Sequence, residues 1–322
     1  MENRRGIIIH PEELDSTWPE RLQDARLNVL GIHPAGGKDA HLSLESAIHH
    51  RLLPETQRLF KQLNHLGIAV EYEAHTMAWL LPRTLIHSKP SWFRMDRQGV
   101  RTPDYNLCVS DADALDFIAL RAEQLARMLD TGSDRYFFWL DDVKDCQCHC
   151  PKCSALSASD QQMIALNAML CGIRRYNRQA TLCFLAYMDT IDAPQKVAPL
   201  PGITLEYAPF LRDSHRPLFD KTCEENVHEV HSLQRLLDVF GKKGSQVLEY
   251  WMDNSRFSGW VKPPKELTLD TSIMEQDCFA YRKIGFESIT SFGCYLGQDY
   301  RALWGEPPVK EYGRILCGKE KV

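Results

Sequence analysis

The stretch "DRYFFWLDDVKDCQCHCPKC", Asp134 to Cys153, sets the terms for the whole chain. An apolar run long enough for one strand ends on two adjacent aspartates. Four cysteines follow within eight positions, and a capped helix pattern, "SASDQQMIALNAMLCGIRRYN", comes next. A strand apolar on both faces belongs in a parallel sheet covered by helices, because only there are both faces buried. The question is then how often this unit repeats.

It repeats along most of the chain. "RLNVLGIHP" reads as a strand ending at His33, and "LESAIHHRLLPETQRLFKQLNHLG" as helix restarted at Pro54. "IAVEYEAHTMAWLLP" reads as a second strand ending near His75, and "TPDYNLCVSD" as a short third over Asn106 to Ser110. Asp111 or Asp113 caps the helix that follows, and Gly132 closes it. "DRYFFWLDD" is the fourth strand, "ATLCFLAYMDT" the fifth and "GITLEYAPF" the sixth. One helix over "PLFDKTCEENVHEVHSLQRLLDVFGKKG" leads to the seventh, "SQVLEYWMDNS", and "DTSIMEQDCFAYRKIG" to the eighth, "FESITSFGCYLG". Eight such strands in 322 residues predict an α/β fold, a single (β/α)8 TIM barrel over 1–322. Its strands run from about 26 to 295, with a short C-terminal extension over 297–322.

Composition narrows the partners. A formal charge of -5 with no basic stripe argues against nucleic acid or a membrane surface. No apolar run has the length of a membrane span, and "MENRRGIIIHPEELDSTWPE" is too short in apolar residues for a signal-peptide core, so a cytoplasmic protein is expected. Homo-oligomerisation is open. No G-x-G-x-x-G follows an early strand, and neither a P-loop, an H-E-x-x-H nor a G-x-S-x-G elbow is present.

In a barrel the chemistry sits where strands run into the following loops. Those ends carry His33, His75, Asn106, Asp141 and Asp142, Tyr187 and Asp189, Glu206 and Tyr207, Glu249, Tyr250, Trp251 and Asp253, and Cys294 with Tyr295. Carboxylates beside aromatic rings suit a sugar: rings stack on its apolar face and carboxylates take its hydroxyls. Glycoside cleavage needs an acid for the leaving oxygen and a second group for the oxocarbenium-like centre. Asp141 and Asp142 suit that pair, since like-charge coupling raises one pKa. Such a pair after a strand is more often a helix cap, loop turn or solvated edge, and strand alternation points neighbours opposite ways. The two histidines read either as hydrogen-bonded structural residues or as sugar ligands, and Glu206 and Glu249 either as pocket residues or as buried ion pairs.

Cys146, Cys148, Cys150 and Cys153 offer four thiolates, with C-x-x-C as a usual zinc half-site. Three readings stay open: a structural zinc, with one ligand supplied from elsewhere if the loop is too tight; packed reduced thiols; or a disulfide. An all-thiolate site leaves no open position for water, which argues against a catalytic zinc. Cys108, Cys171, Cys183, Cys278 and Cys294 read as small core residues.

Together, "HTMAWLLP", "NLCVSD", "WLDDVKDCQCHCPKCSALSASDQQMIALNAM" and "LEYAPFLRD" resemble the domain of unknown function 4838 family over roughly Arg26 to Gly297. That family includes glycoside hydrolase family 163, and is similar in layout to hexosaminidase families 20 and 84. The resemblance implies a β-N-acetylglucosaminidase-like enzyme with no catalytic cofactor, using the substrate's acetamido group, with Asp141 orienting it and Asp142 as acid/base. Cys146 lies outside the family's C-x-C-x-x-C triplet, and members are often exported and multidomain, so an intracellular chain would act on imported oligosaccharides. Two alternatives stand beside this: an α-glucuronidase-like inverting glycosidase, with Arg212 or His215 holding the uronate, and a non-catalytic carbohydrate- or zinc-binding barrel.

Overall fold

The computed structural model describes residues 3–318. Eight parallel strands close into one barrel in sequence order: β1 (Arg4–Ile9), β2 (Val29–Ile32), β3 (Ala69–His75), β4 (Arg135–Trp139), β5 (Thr181–Ala186), β6 (Ile203–Tyr207), β7 (Gln246–Glu249) and β8 (Ser288–Phe292). β1 closes the ring, pairing Ile8 with Gly31 of β2 on one side and Phe292 of β8 on the other. The expected α/β barrel is therefore present, and no helix among the described residues is long and apolar enough to cross a membrane.

Two strand assignments differ from the sequence reading and cancel in the count. β1 begins with two arginines, which mask it in the sequence. Arg4 nevertheless reaches the barrel floor and pairs with the fully buried Glu71 at 2.7 Å. Asn106 to Ser110 is buried and apolar but is not a strand. Its one backbone pairing with the preceding loop, among the described residues, is an isolated antiparallel bridge, Phe93 to Leu107. The strands thus start at Arg4, well before residue 26. The stretch expected as an extension also belongs to the barrel: Val309–Cys317 packs on β1, and its Tyr312 hydroxyl donates to the Gly6 carbonyl at 2.6 Å.

Side chains alternate along each strand, so each strand feeds two separate cores. Outward residues such as Ile7, Ile9, Leu30, Phe138, Phe184 and Tyr207 pack under the helices. Inward residues Ile8, Phe137, Trp139, Cys183, Leu185, Leu248 and Phe292 fill the barrel. Each fully buried aliphatic side chain contributes about 1.5–3 kcal/mol of transfer free energy. Local signals agree with this frame. Pro54 does restart a helix, Asp111 accepts from the Ala114 N–H, and Ser157 and Asp160 form a capping box on Ala158–Tyr176. The single helix expected before β7 is instead two, Glu224–Val230 and Leu233–Phe240.

Candidate active site at the barrel mouth

Beneath the mouth the barrel is unusually acidic. Glu71, Glu73 and Glu206 point inward and are almost fully buried. Glu206 accepts from the Trp139 indole N–H at 2.7 Å and from Gln246 at 3.0 Å. Burial pushes its pKa up to about 7, and pushes that of the neighbouring Glu73 well above the carboxylate range. Glu206 does not line the mouth cavity; it holds the indole of Trp139, which does.

Above Trp139 a cavity of about 430 Å³ opens, lined by His10, His33, His75, Asp142, Tyr187, Phe210, Tyr250, Asp253, Trp260, Phe292 and Tyr295 among others. Three histidines step around one wall. The Nδ1 of His10 bonds the His33 carbonyl at 2.8 Å, that of His33 the Glu73 carbonyl at 2.7 Å, and that of His75 the Leu140 carbonyl at 2.6 Å. A carbonyl only accepts, so each Nδ1 carries the proton. Burial holds His33 well below the usual imidazole pKa, so its Nε2 is an acceptor. His33 meets Phe292 edge-on at 4.9 Å, His75 meets Trp139 edge-on at 5.1 Å, and His10 stacks on His33 at 5.8 Å.

Regular strand geometry ends at Trp139, and the aspartates after it part company. Asp142 turns into the cavity, where its Oδ1 accepts from the Tyr187 hydroxyl at 2.9 Å and its Oδ2 lies 3.9 Å from His75 Nε2. Asp141 turns into an adjoining hollow of about 50 Å³, also lined by Asn106, Cys146 and Gln147. Its Oδ2 accepts from Arg83 at 2.6 Å, and its N–H donates to Asn106 Oδ1 at 3.0 Å. Burial raises the Asp141 pKa, while Arg83 opposes the rise. His75, Leu185 and Tyr187 line both spaces, so one wall separates the two carboxylates.

Other sequence candidates divide by strand alternation. Tyr250 and Asp253 reach the cavity, and Asp253 also caps Asn254–Phe257 through the Ser255 and Arg256 N–H groups. Burial raises the Asp253 pKa. Tyr207 faces the helices, donating to the Glu229 carbonyl at 3.0 Å, so it is not a mouth residue. Glu249 and Trp251 also point outward. Arg212 lies between Glu249 at 2.8 Å and Asp277 at 2.7 Å, with the Tyr281 hydroxyl on Glu249 at 2.6 Å and the Trp251 indole on Asp277 at 3.3 Å. Two carboxylates already neutralise Arg212, which corrects the expectation that it serves a substrate uronate. His215 lines a lateral pocket together with Arg212, Glu249 and Trp251, and Tyr250 borders both this pocket and the mouth cavity.

The cysteine expectation also changes. Cys146 stands apart, its Sγ accepting from Asn106 Nδ2 at 2.9 Å. Cys108, expected as a core residue, joins Cys148, Cys150 and Cys153 in one buried group instead. Cys171 is exposed, and no disulfide joins any of the cysteines among the described residues.

Sequence reasoning missed His10, Phe210 and Trp260, while Tyr295 and Cys294, expected at the end of the eighth strand, do line the cavity. A signal for His10 was available: "GIIIHP" is an apolar run ending on histidine, like "VLGIHP". Trp260 left none, because the loop that carries it has no strand pattern; it is 63% exposed at the cavity rim.

No curated protein matches the chain. Solved structures share its fold at low identity. A β-galactosidase from Rahnella sp. R3 aligns over 98% of this chain and 56% of its own, with a TM-score of 0.55 and 15% identity. The pneumococcal exo-β-D-N-acetylglucosaminidase, through its GH20 catalytic modules, aligns over 98% and 84%, with a TM-score of 0.55 and 10% identity. A tri-modular GH5 endo-β-1,4-glucanase from Bacillus licheniformis aligns over 97% and 58%, with a TM-score of 0.53 and 11% identity. The chain thus spans little more than half the length of the galactosidase and the glucanase. A family model described as domain of unknown function (DUF4838) matches residues 45–241, a span that holds β3 to β6, both aspartates and the cysteine group. The chain belongs to the DUF4838 family.

Proposed function

We propose that the chain is a retaining glycoside hydrolase of the β-N-acetylglucosaminidase kind, with Asp142 as general acid/base and the substrate's own acetamido group as nucleophile. The observation that carries the reading is Asp142 itself. It is a carboxylate fixed by Tyr187 inside a ring- and imidazole-walled cavity at the end of β4. The fold neighbour that is an exo-β-D-N-acetylglucosaminidase makes that sugar class the first to test.

In this reading the sugar ring stacks against the Trp260 and Tyr250 side, and His33 Nε2 accepts one of its hydroxyls. Asp142 gives its proton to the glycosidic oxygen as the bond to the anomeric carbon breaks. The acetamido oxygen bonds that carbon, closing a five-membered ring. Asp141 stays behind the wall of His75, Leu185 and Tyr187, paired with Arg83; in place of the orienting role the resemblance implied for it, it holds the turn that carries Asp142. Asp142, now a base, takes a proton from water, which reopens the ring with retention.

A panel of aryl β-glycosides tests this. Turnover of the N-acetylglucosaminide, with the 2-hydroxy glucoside at least a hundredfold slower, is expected because the latter lacks the nucleophile. Equal turnover of the two overturns substrate assistance. No turnover on any sugar, the glucuronide included, overturns the enzyme reading.

A further inference from the structure

We propose that Cys108, Cys148, Cys150 and Cys153 bind one zinc ion that staples the loop after β3 to the loop after β4. The four Sγ atoms lie within 4.8 Å of one another and all four residues are buried. A tetrahedral zinc with Zn–S bonds of about 2.3 Å sets its sulfurs about 3.8 Å apart. The Cys108 Sγ is 3.7 Å from that of Cys150 and 3.9 Å from that of Cys153. A disulfide would need about 2.05 Å, so the spacing is that of ligands sharing an ion.

The surroundings suit a thiolate-rich centre. Zinc with four thiolates keeps two negative charges, and such sulfurs are stabilised by donors around them. The Met95 N–H donates to Cys148 Sγ at 3.3 Å, and the Arg101 guanidinium stands 3.8 Å from the same sulfur. The Ser110 hydroxyl lies 3.2 Å from Cys108 Sγ and 3.7 Å from Cys150 Sγ. Gln161 holds the knuckle in shape, accepting from the Cys148 N–H at 2.8 Å and donating to the Cys148 carbonyl at 2.9 Å. With four thiolates no position is left for water, so the ion is structural.

Its effect reaches the mouth through a short path. Asn106, two residues before Cys108, holds the backbone N–H of Asp141. The ion thus fixes the loop that presents both aspartates, whatever reaction they perform. Cys146, the nearest sequence alternative, is left as a thiol bound to Asn106.

Elemental analysis of the purified full chain tests the assignment, with Cys146→Ser and Cys108→Ser beside the wild type. One zinc per chain is expected in the wild type and in Cys146→Ser, falling below a tenth in Cys108→Ser. Because Cys108→Ser can misfold, wild type and Cys146→Ser are also produced in cobalt-supplemented, zinc-depleted medium. Both should show thiolate-to-cobalt charge-transfer absorption. Wild type that takes up neither metal, or that carries one equivalent of iron, overturns the proposal. So does a Cys146→Ser chain that loses its metal, or a folded Cys108→Ser chain that keeps it.

Discussion

The Tyr187 hydroxyl donates to Asp142 Oδ1 at 2.9 Å, so the end of β5 fixes the carboxylate that β4 supplies. Tyr187→Phe keeps the ring and removes the donor. A hydrogen bond to a charged group is worth about 1.5–3 kcal/mol, and a loss of about tenfold or more in kcat is expected with KM little changed. Steady-state kinetics on an aryl N-acetylglucosaminide checks this; an unaltered kcat would remove Tyr187 from the positioning role.

Gly36 packs directly against the site. A Cβ there would stand 2.9 Å from His75 Cδ2 and 3.0 Å from Asp142 Oδ2. Gly36→Ala must push one of these side chains aside, at a stability cost of about 1–3 kcal/mol for overpacking. Activity should fall by at least tenfold while the fold persists, read by kinetics together with circular dichroism.

Arg83 neutralises a carboxylate that is only 7% exposed. Arg83→Ala leaves Asp141 buried without its partner, and a loss of about 3 kcal/mol in urea unfolding is expected. Asp141→Asn removes the charge instead of stranding it, so its loss should be smaller. The reverse order would show that Asp141 does not depend on Arg83.

The barrel floor predicts a pH dependence. Glu206 rises from its ordinary 4.5 to about 7 through burial, so between those values the folded chain holds a proton that the unfolded chain has released. Stability from this group is complete below the lower value and is lost as pH rises through the higher one. The loss is on the order of 3 kcal/mol. Thermal melts between pH 4.5 and 8 should show Glu206→Gln with a flatter decline than wild type; parallel curves would place the titration elsewhere.

Much of this was legible in the sequence because the strand–helix period is strong where strands are apolar. β2 to β8 announce themselves, and so do Asp142, Tyr187, His33 and His75 at strand ends. β1 hid behind Arg4 and Arg5, although Arg4 meets Glu71 once the ring is closed, and with the strand His10 was lost. Period-two alternation in principle separates Glu206 from Tyr207, but which of them faces inward depends on the barrel. Cys108 lies 40 residues from Cys148, and only the fold brings their sulfurs together.

The account rests most heavily on Asp142 as the acid, and kcat/KM of Asp142→Asn measures it most directly. General acid–base catalysis contributes about 10²–10⁴-fold. A loss of that size is expected on a p-nitrophenyl N-acetyl-β-glucosaminide, with an unchanged fold and a much smaller loss on a dinitrophenyl analogue whose leaving group needs no proton. Wild-type activity in the folded variant on both substrates would contradict the assignment.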